Sequence, residues 1–306
     1  MAEDPNWPRA SDWLVASTAA HHERLTRHGD PHAVPTPDLV LLGVPAHRTS
    51  ISLTGAHATP AAVRAALARY STWDASTGTE LADLSIVDLG DIDDPDGPDG
   101  ERATRTAVRQ FPEVPVLALG GDNSITHALA HGEWADGLVT VDAHHDLRDG
   151  RSNGSPVRRL IEAGLDGRRI VQVGISDFAN SAHYAARARE LGITVIPRSA
   201  LDRRPIADAM AEALDIAGAG EDARVHVDLD VDVCDRAVAP ACPASLPGGI
   251  SAAQLRQAAR VAGADPRVVG VDITEVDATA DTADQRTVRL AALCVLEVAA
   301  GVAARP

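Results

Sequence analysis

Two acidic clusters stand directly behind apolar runs. Asp142-Ala143-His144-His145-Asp146 follows Leu138–Val141, and Asp230-Val231-Asp232 follows Val225–Leu229. Carboxylates and an imidazole gathered in this way repel one another severely unless cations neutralise them. Oxygen-rich ligation with one or two imidazoles suits Mn²⁺ and related divalent ions, whereas structural zinc sites favour sulfur. Taken singly, either cluster would serve equally well as helix caps or turn residues, the commoner use of aspartate. Taken together, as D-x-H-x-D and D-x-D, they point to a metal centre.

The elements that would carry these clusters can be read from hydrophobic periodicity. Short apolar, β-branched runs recur at Leu39–Leu42, Leu84–Val87, Val114–Leu119, Leu138–Val141, Ile170–Val173, Ile193–Ile196, Val225–Leu229 and Val268–Val271, and read as buried strands. Helical composition fills Pro60–Arg69, Arg102–Gln110, Ser181–Leu191, Pro205–Ala217, Ala252–Val261 and Thr287–Ala299. This alternation predicts an α/β fold of βαβ units around a mostly parallel central sheet. The two clusters then fall at the carboxyl ends of strands, where such sheets place their ligands. Pro60 and Ser251 are helix-entry signals. Residues 1–37 are set apart as an N-terminal extension that packs on the domain or on a neighbouring subunit, and 38–306 as a single domain. Asp91–Gly100, with its aspartates, prolines and glycines, reads as an exposed acidic loop.

Composition narrows the function. The net charge of −16 over 306 residues disfavours nucleic acid and anionic membrane as partners. All 28 basic residues are arginine, which excludes lysine Schiff bases and the P-loop lysine. Cys234, Cys242 and Cys294 lack C-x-x-C spacing and are odd in number, which suits a reducing cytoplasm. The opening Glu3, Asp4, Pro5 and Pro8 do not make a signal peptide, and no apolar run approaches the roughly 18 to 20 residues that cross a bilayer.

The ordered motifs resemble those of the ureohydrolases, the family of arginase, agmatinase and formimidoylglutamase, from about Leu39 to Leu296. Gly120-Gly121-Asp122-Asn123-Ser124 is similar to the family's G-G-D-H-S, Asp142 to Asp146 to its D-A-H-x-D, and Asp230 to Asp235 to its D-x-D-x-x-D. Pro247-Gly248-Gly249 and Asp272-Ile273-Thr274-Glu275 resemble its P-G-G and D-x-x-E, and Gly55, Pro60 and Arg64 its G-x-x-x-x-P-x-x-x-R. The resemblance implies a three-layer arginase-like fold, homo-oligomers, and two Mn²⁺ ions bridged by Asp142 and Asp230. His144 and Asp232 would complete one ion's shell, and Asp146 and the Asn123 position the other's. It also implies hydrolysis of a linear amidine or guanidine, with water made acidic between the cations. Asp146 would handle the proton, and Glu275 would hold the cationic substrate.

Departures from the family pattern narrow the branch. Asn123 replaces the histidine of G-G-D-H-S, and an amide oxygen is a weaker ligand than imidazole. His127 could face the same way on a helix, although a surface or packing role suits it better, and His145 should point away from His144. Asn153 stands where arginase and agmatinase carry another histidine. Ser152 to Arg159, Asp146-Leu147-Arg148 and Ala179-Asn180-Ser181 look like formimidoylglutamase segments. Asp228 and Arg236 stand where the family tends to have serine and proline. A substrate with a glutamate tail calls for cationic anchors, for which Arg148 is the first candidate, with Arg158 or Arg159 second. The expected reaction is hydrolysis of N-formimidoyl-L-glutamate to glutamate and formamide. The alternatives are a guanidino-compound hydrolase releasing urea and a metal-poor, non-catalytic binding or regulatory subunit.

Overall fold

All eight apolar runs form strands, and the eight strands form one parallel sheet. They are β1 (Leu39–Val44), β2 (Ile86–Asp91), β3 (Val116–Gly120), β4 (Gly137–Val141), β5 (Ile170–Ile175), β6 (Thr194–Pro197), β7 (Val225–Asp230) and β8 (Val268–Thr274). The computed structural model, which describes residues 6–28 and 34–306, orders them β2-β1-β3-β8-β7-β4-β5-β6. The acid-bearing β4 and β7 are neighbours, with Val141 opposite Leu229, and β8 flanks β7 with Thr274 opposite Asp230. Three separate stretches of sequence therefore deliver carboxylates to one rim.

Helices cover both faces. On one lie α1 (Ala10–His28), α2 (Thr59–Ala66), α7 (Ile206–Ala217), α8 (Ala252–Ala264) and α9 (Arg286–Ala303), whose apolar sides meet Val225, Val227, Leu229, Val271 and Ile273. On the other lie α3 (Gly97–Val108), α4 (Ile125–Gly132), α5 (Pro156–Glu162) and α6 (Ala182–Glu190), packed through Val108, Leu129, Leu160 and Ala188. This is the three-layer α/β arrangement expected. Pro60 lies in the first turn of α2, and Ser251 makes a reciprocal capping box with Gln254 on α8, so both entry signals hold.

Three helices were not legible. α4 and α5 are only 8 and 7 residues long, too short to show a periodic stripe. α1 lies inside the stretch set apart as an extension, of which residues 1–5 and 29–33 fall outside the described ones. Its Ala10, Trp13 and Leu14 join the core. Ser17 Oγ and Thr18 Oγ1 accept the N–H groups of Ile86 and Asp88 on the outer strand β2, at 2.9 and 3.0 Å. The acidic segment 91–100 is not an exposed loop throughout. β2 runs to Asp91 and α3 starts at Gly97, while the Asp96 carboxylate, 4% exposed, accepts the His47 and Arg48 N–H groups. No helix among the described residues is long and apolar enough to cross a membrane.

Candidate metal centre and active site

Each aspartate cluster begins as a turn. Asp142 Oδ1 accepts the His144 N–H at 2.7 Å, and Asp230 Oδ1 accepts the Asp232 N–H at 2.8 Å. Turn formation thus occupies one oxygen of each residue and leaves the other oxygen available. Asp142 Oδ2 and Asp232 Oδ1 are buried with no hydrogen-bond partner, an arrangement native proteins avoid unless an ion or water answers it. Asp142, His144 and Asp232 bring donor atoms within 4.8 Å of one another, with His144 Nδ1 3.0 Å from Asp232 Oδ2. The turn reading of these aspartates thus leaves separate oxygens, Asp142 Oδ2 and Asp232 Oδ1, that could face a cation.

The electrostatics are those of a site built around positive charge. Burial and then Asp232 push the Asp142 carboxyl up to about 6, against the opposing pull of His144. Burial followed by neighbouring aspartates also raises Asp146 and Asp230. Burial works against a charged His144, but Asp232 and Asp142 together lift it to about 12. Divalent cations would neutralise the carboxylates in place of these protons. The donor set, carboxylate-rich with one imidazole, fits Mn²⁺.

Glu275 follows β8 in the left-handed region, at φ +64°, and Asp146 follows β4 at φ +51°. Non-glycine residues held there are strained unless the surroundings fix them. Glu275 N–H donates to Gly121 O at 2.9 Å, and its Oε1 accepts from Asn123 N–H at 2.8 Å and Asn153 Nδ2 at 2.9 Å. Burial followed by Asp122 raises this carboxyl to about 8. Asn153 therefore braces Glu275, while its own oxygen accepts the Ile51 N–H. Asp146, His144, Asp230, Asp232, Asn123, Asn153, Glu275 and Arg148 all line one pocket of about 230 Å³. Arg148 is exposed at its mouth, and among the described residues no carboxylate pairs with its guanidinium.

Three expected site residues are placed differently. The Asn123 oxygen accepts from Thr126 Oγ1 at 2.6 Å and Thr274 Oγ1 at 3.3 Å, while Nδ2 donates to Asp146 Oδ2 at 2.7 Å. The side facing the carboxylates is a donor, which is the wrong polarity for a ligand. Arg158 lies outside the pocket lining, bound to the carbonyls of Arg148 and Gly150 and to Glu162. Arg159, 8% exposed, is committed to Glu101 at 2.8 Å. Arg158 holds the loop after β4 and Arg159 ties α5 to α3; neither lines the pocket. His127 packs beside His131 and Glu101, and His145 turns away to Gln172, as expected of each.

The pocket also contains residues for which the sequence offered little signal. Ile51 and Ser52 come from the loop after β1, Tyr184 from α6, and Ala244 from the turn before Pro247. Leu147, Gly154, Ala179, Asn180 and Ser181, also in the lining, belonged to recognised segments. Thr126 and Thr274, which hold the Asn123 oxygen, are ordinary core threonines to the eye.

Fold and carboxylate rim together define a class, and comparison gives the family: the arginase family matches residues 37–301, and the chain belongs to it. Formimidoylglutamase of Bacillus subtilis (strain 168) is 33% identical over 281 residues, covering 87% of this chain and 88% of that one. The crystal structure of the formimidoylglutamase from that species superposes with a TM-score of 0.87 at 29% identity, covering 100% and 95% of the two chains. The Trypanosoma cruzi formiminoglutamase solved with Mn²⁺ shares the fold, with a TM-score of 0.83 at 24% identity over 98% and 100% of the chains.

Proposed function

We propose that the chain is a hydrolase of linear amidine C–N bonds that converts N-formimidoyl-L-glutamate and water into L-glutamate and formamide. The observation that carries this reading is the presence, in one pocket, of the buried Glu275 carboxylate and an exposed Arg148 that has no carboxylate partner among the described residues. A substrate with a cationic amidine at one end and carboxylates at the other fits that polarity. Agmatine, cationic at both ends, would bring its second charge to Arg148.

Asp142, His144, Asp146, Asp230 and Asp232 would hold two Mn²⁺ ions. Bound there, the ions would acidify a water so that it can attack the amidine carbon as hydroxide. Glu275, held by Asn123 and Asn153, binds the amidinium and sets its trigonal carbon over the carboxylate rim. Asp146, buried and raised in pKa, accepts the water proton and delivers it to the leaving glutamate nitrogen. Arg148 pairs with a carboxylate of the glutamate tail. The polar pocket suits a small substrate, and the three buried free cysteines suit a reducing compartment such as the cytoplasm.

The test is a panel of N-formimidoyl-glutamate, arginine, agmatine, guanidinobutyrate and guanidinopropionate, scored separately for formamide and urea. Formamide from the first substrate alone is expected. Urea from a guanidino compound, with no formamide, would overturn the assignment.

A further inference from the structure

β7 and β8 lie side by side at the centre of the sheet. On the face covered by α4 they present His226, Asp228 and Asp230 opposite Gly270, Asp272 and Thr274. His226 is fully buried, with Nδ1 2.7 Å from Glu133 Oε2 and Nε2 3.1 Å from Asp272 Oδ2. Burial opposes a charge on this ring, but Glu133 and Asp272 outweigh it and lift the pKa to about 10. The imidazolium then donates to both carboxylates. Glu133, just beyond α4, reaches the ring because Gly270 has no side chain: a Cβ there would stand 2.2 Å from both carboxylate oxygens. Asp272 stands opposite Asp228 in the register of the two strands, its buried Oδ1 without a hydrogen-bond partner among the described residues, and Asp228 Oδ2 lies 3.4 Å from Asn123 Nδ2. A run of buried polar side chains thus lies beneath α4 from Glu133 to the Asn123 amide, which ends it at Asp146.

None of Glu133, His226, Asp228 or Asp272 lines the pocket, and the reaction as written uses none of them. Apolar residues of equal volume would serve stability at least as well. Because Glu133 and Asp272 each keep one buried oxygen without a partner among the described residues, the geometry of the run depends on the His226 ring between them. We propose that Glu133, His226, Asp272 and Asp228 form a positioning line that holds Asn123 with Nδ2 toward Asp146, so that Asn123 orients this carboxylate for the metal and is not itself a ligand. With Oδ2 of Asp146 occupied by the amide, Oδ1 is left to face the cation. Loss of His226 leaves Glu133 and Asp272 unpaired, sets Asp272 against Asp228, and frees the amide to turn. The inference rests on the metal-centre reading above.

The test reads Mn²⁺ binding rather than turnover, by equilibrium dialysis with electron paramagnetic resonance, on the full chain, His226→Gln, Glu133→Gln, and each of these combined with Asn123→His. In the natural chain either substitution should weaken the weaker Mn²⁺ site by about tenfold, the scale of outer-shell changes at metal sites. With histidine at 123 there is no amide to orient, and the same substitutions should change that site by less than about twofold, a non-additivity that a merely structural role would not give. Glu133→Gln keeps the side-chain volume and decides the matter should His226→Gln fail to fold. Equal losses in both backgrounds, or unchanged Mn²⁺ affinity in folded variants, would overturn the proposal. Because binding is read, absence of formamide release would count against the proposed reaction alone.

Discussion

Arg148→Ala separates the proposed substrate from its guanidino rivals. A hydrogen bond to a charged group contributes about 1.5 to 3 kcal/mol when buried, and an exposed ion pair about 0 to 1. Arg148 is exposed at the mouth of the pocket, and its backbone is fixed by a 2.9 Å bond from its N–H to Gly154 O. Its stem is fixed as well, since a Cβ on Gly154 would stand 2.8 Å from Arg148 Cδ. A substrate tail would cover one side of the guanidinium and leave the other in water. The expected loss lies between the two ranges, about 1 to 1.5 kcal/mol, or roughly five- to twelvefold in kcat/KM for N-formimidoyl-glutamate. Most of it should appear in KM, because the tail contact is present in both ground and transition states. Formamide release followed over a range of substrate concentrations, with agmatine in parallel, is the assay. If removal of the arginine leaves kcat/KM for formimidoyl-glutamate unchanged, the polarity argument fails and the tail is bound elsewhere.

Asp142→Ala and Asp230→Ala should each abolish formamide release, since each carboxylate would serve both ions; near-normal turnover by either variant, or by chelator-stripped protein, contradicts the metal reading. Asn123→His should tighten Mn²⁺ binding, because imidazole supplies a ligand where the amide presents its donor side; metal content after dialysis checks this, and two ions already retained by the natural chain would contradict it. Metal-free protein should lose stability as pH rises. Glu275 is raised from 4.5 to about 8 and Asp142 from 3.8 to about 6, so the fold binds more protons than the unfolded chain across those windows and rising pH removes them. His144, raised from 6.5 to about 12, contributes stability that is present below 6.5 and is lost toward 12, in the same direction. Thermal melts at about pH 5 and pH 8 should show a lower metal-free Tm at the higher pH and a larger Mn²⁺-induced rise there; the reverse order would refute the assignment of these shifts.

The inner strands were legible because they are buried on both faces and most read as apolar runs, while the edge strands β2 and β6 are only partly buried; the parallel sheet followed from the alternation of strands with helices. The clusters at their ends gave the carboxylate rim from local sequence alone. What local sequence could not give was direction. Asn123 lines the pocket, but whether its oxygen or its nitrogen faces the site is decided by Thr126 and Thr274, one on α4 and one on β8. Arg158 and Arg159 were expected to reach the substrate because they are cationic and near the motif. Their destinations were set by Glu162 and Glu101, the latter far away in the chain. Asp228 stood out as a departure from the family pattern. Its neighbour His226 looked like an ordinary strand residue, and Asp272 was read only as the start of the D-x-x-E motif, until the register of β7 and β8 placed them on one face.

The hydroxyls of Ser17 and Thr18, set against the N–H groups of Ile86 and Asp88, bear on how the molecule avoids its own kind. An outer parallel strand with free donors is a template onto which another chain can add, and evolution commonly blunts such edges with charge, proline or a covering element. Here the cover comes from the first helix of the chain, while the strand it protects comes some sixty residues later. During synthesis the guard exists before the thing it guards. A chain shortened to begin after α1 would carry the entire catalytic rim yet present an open sheet margin, making it prone to self-association for reasons unrelated to its chemistry.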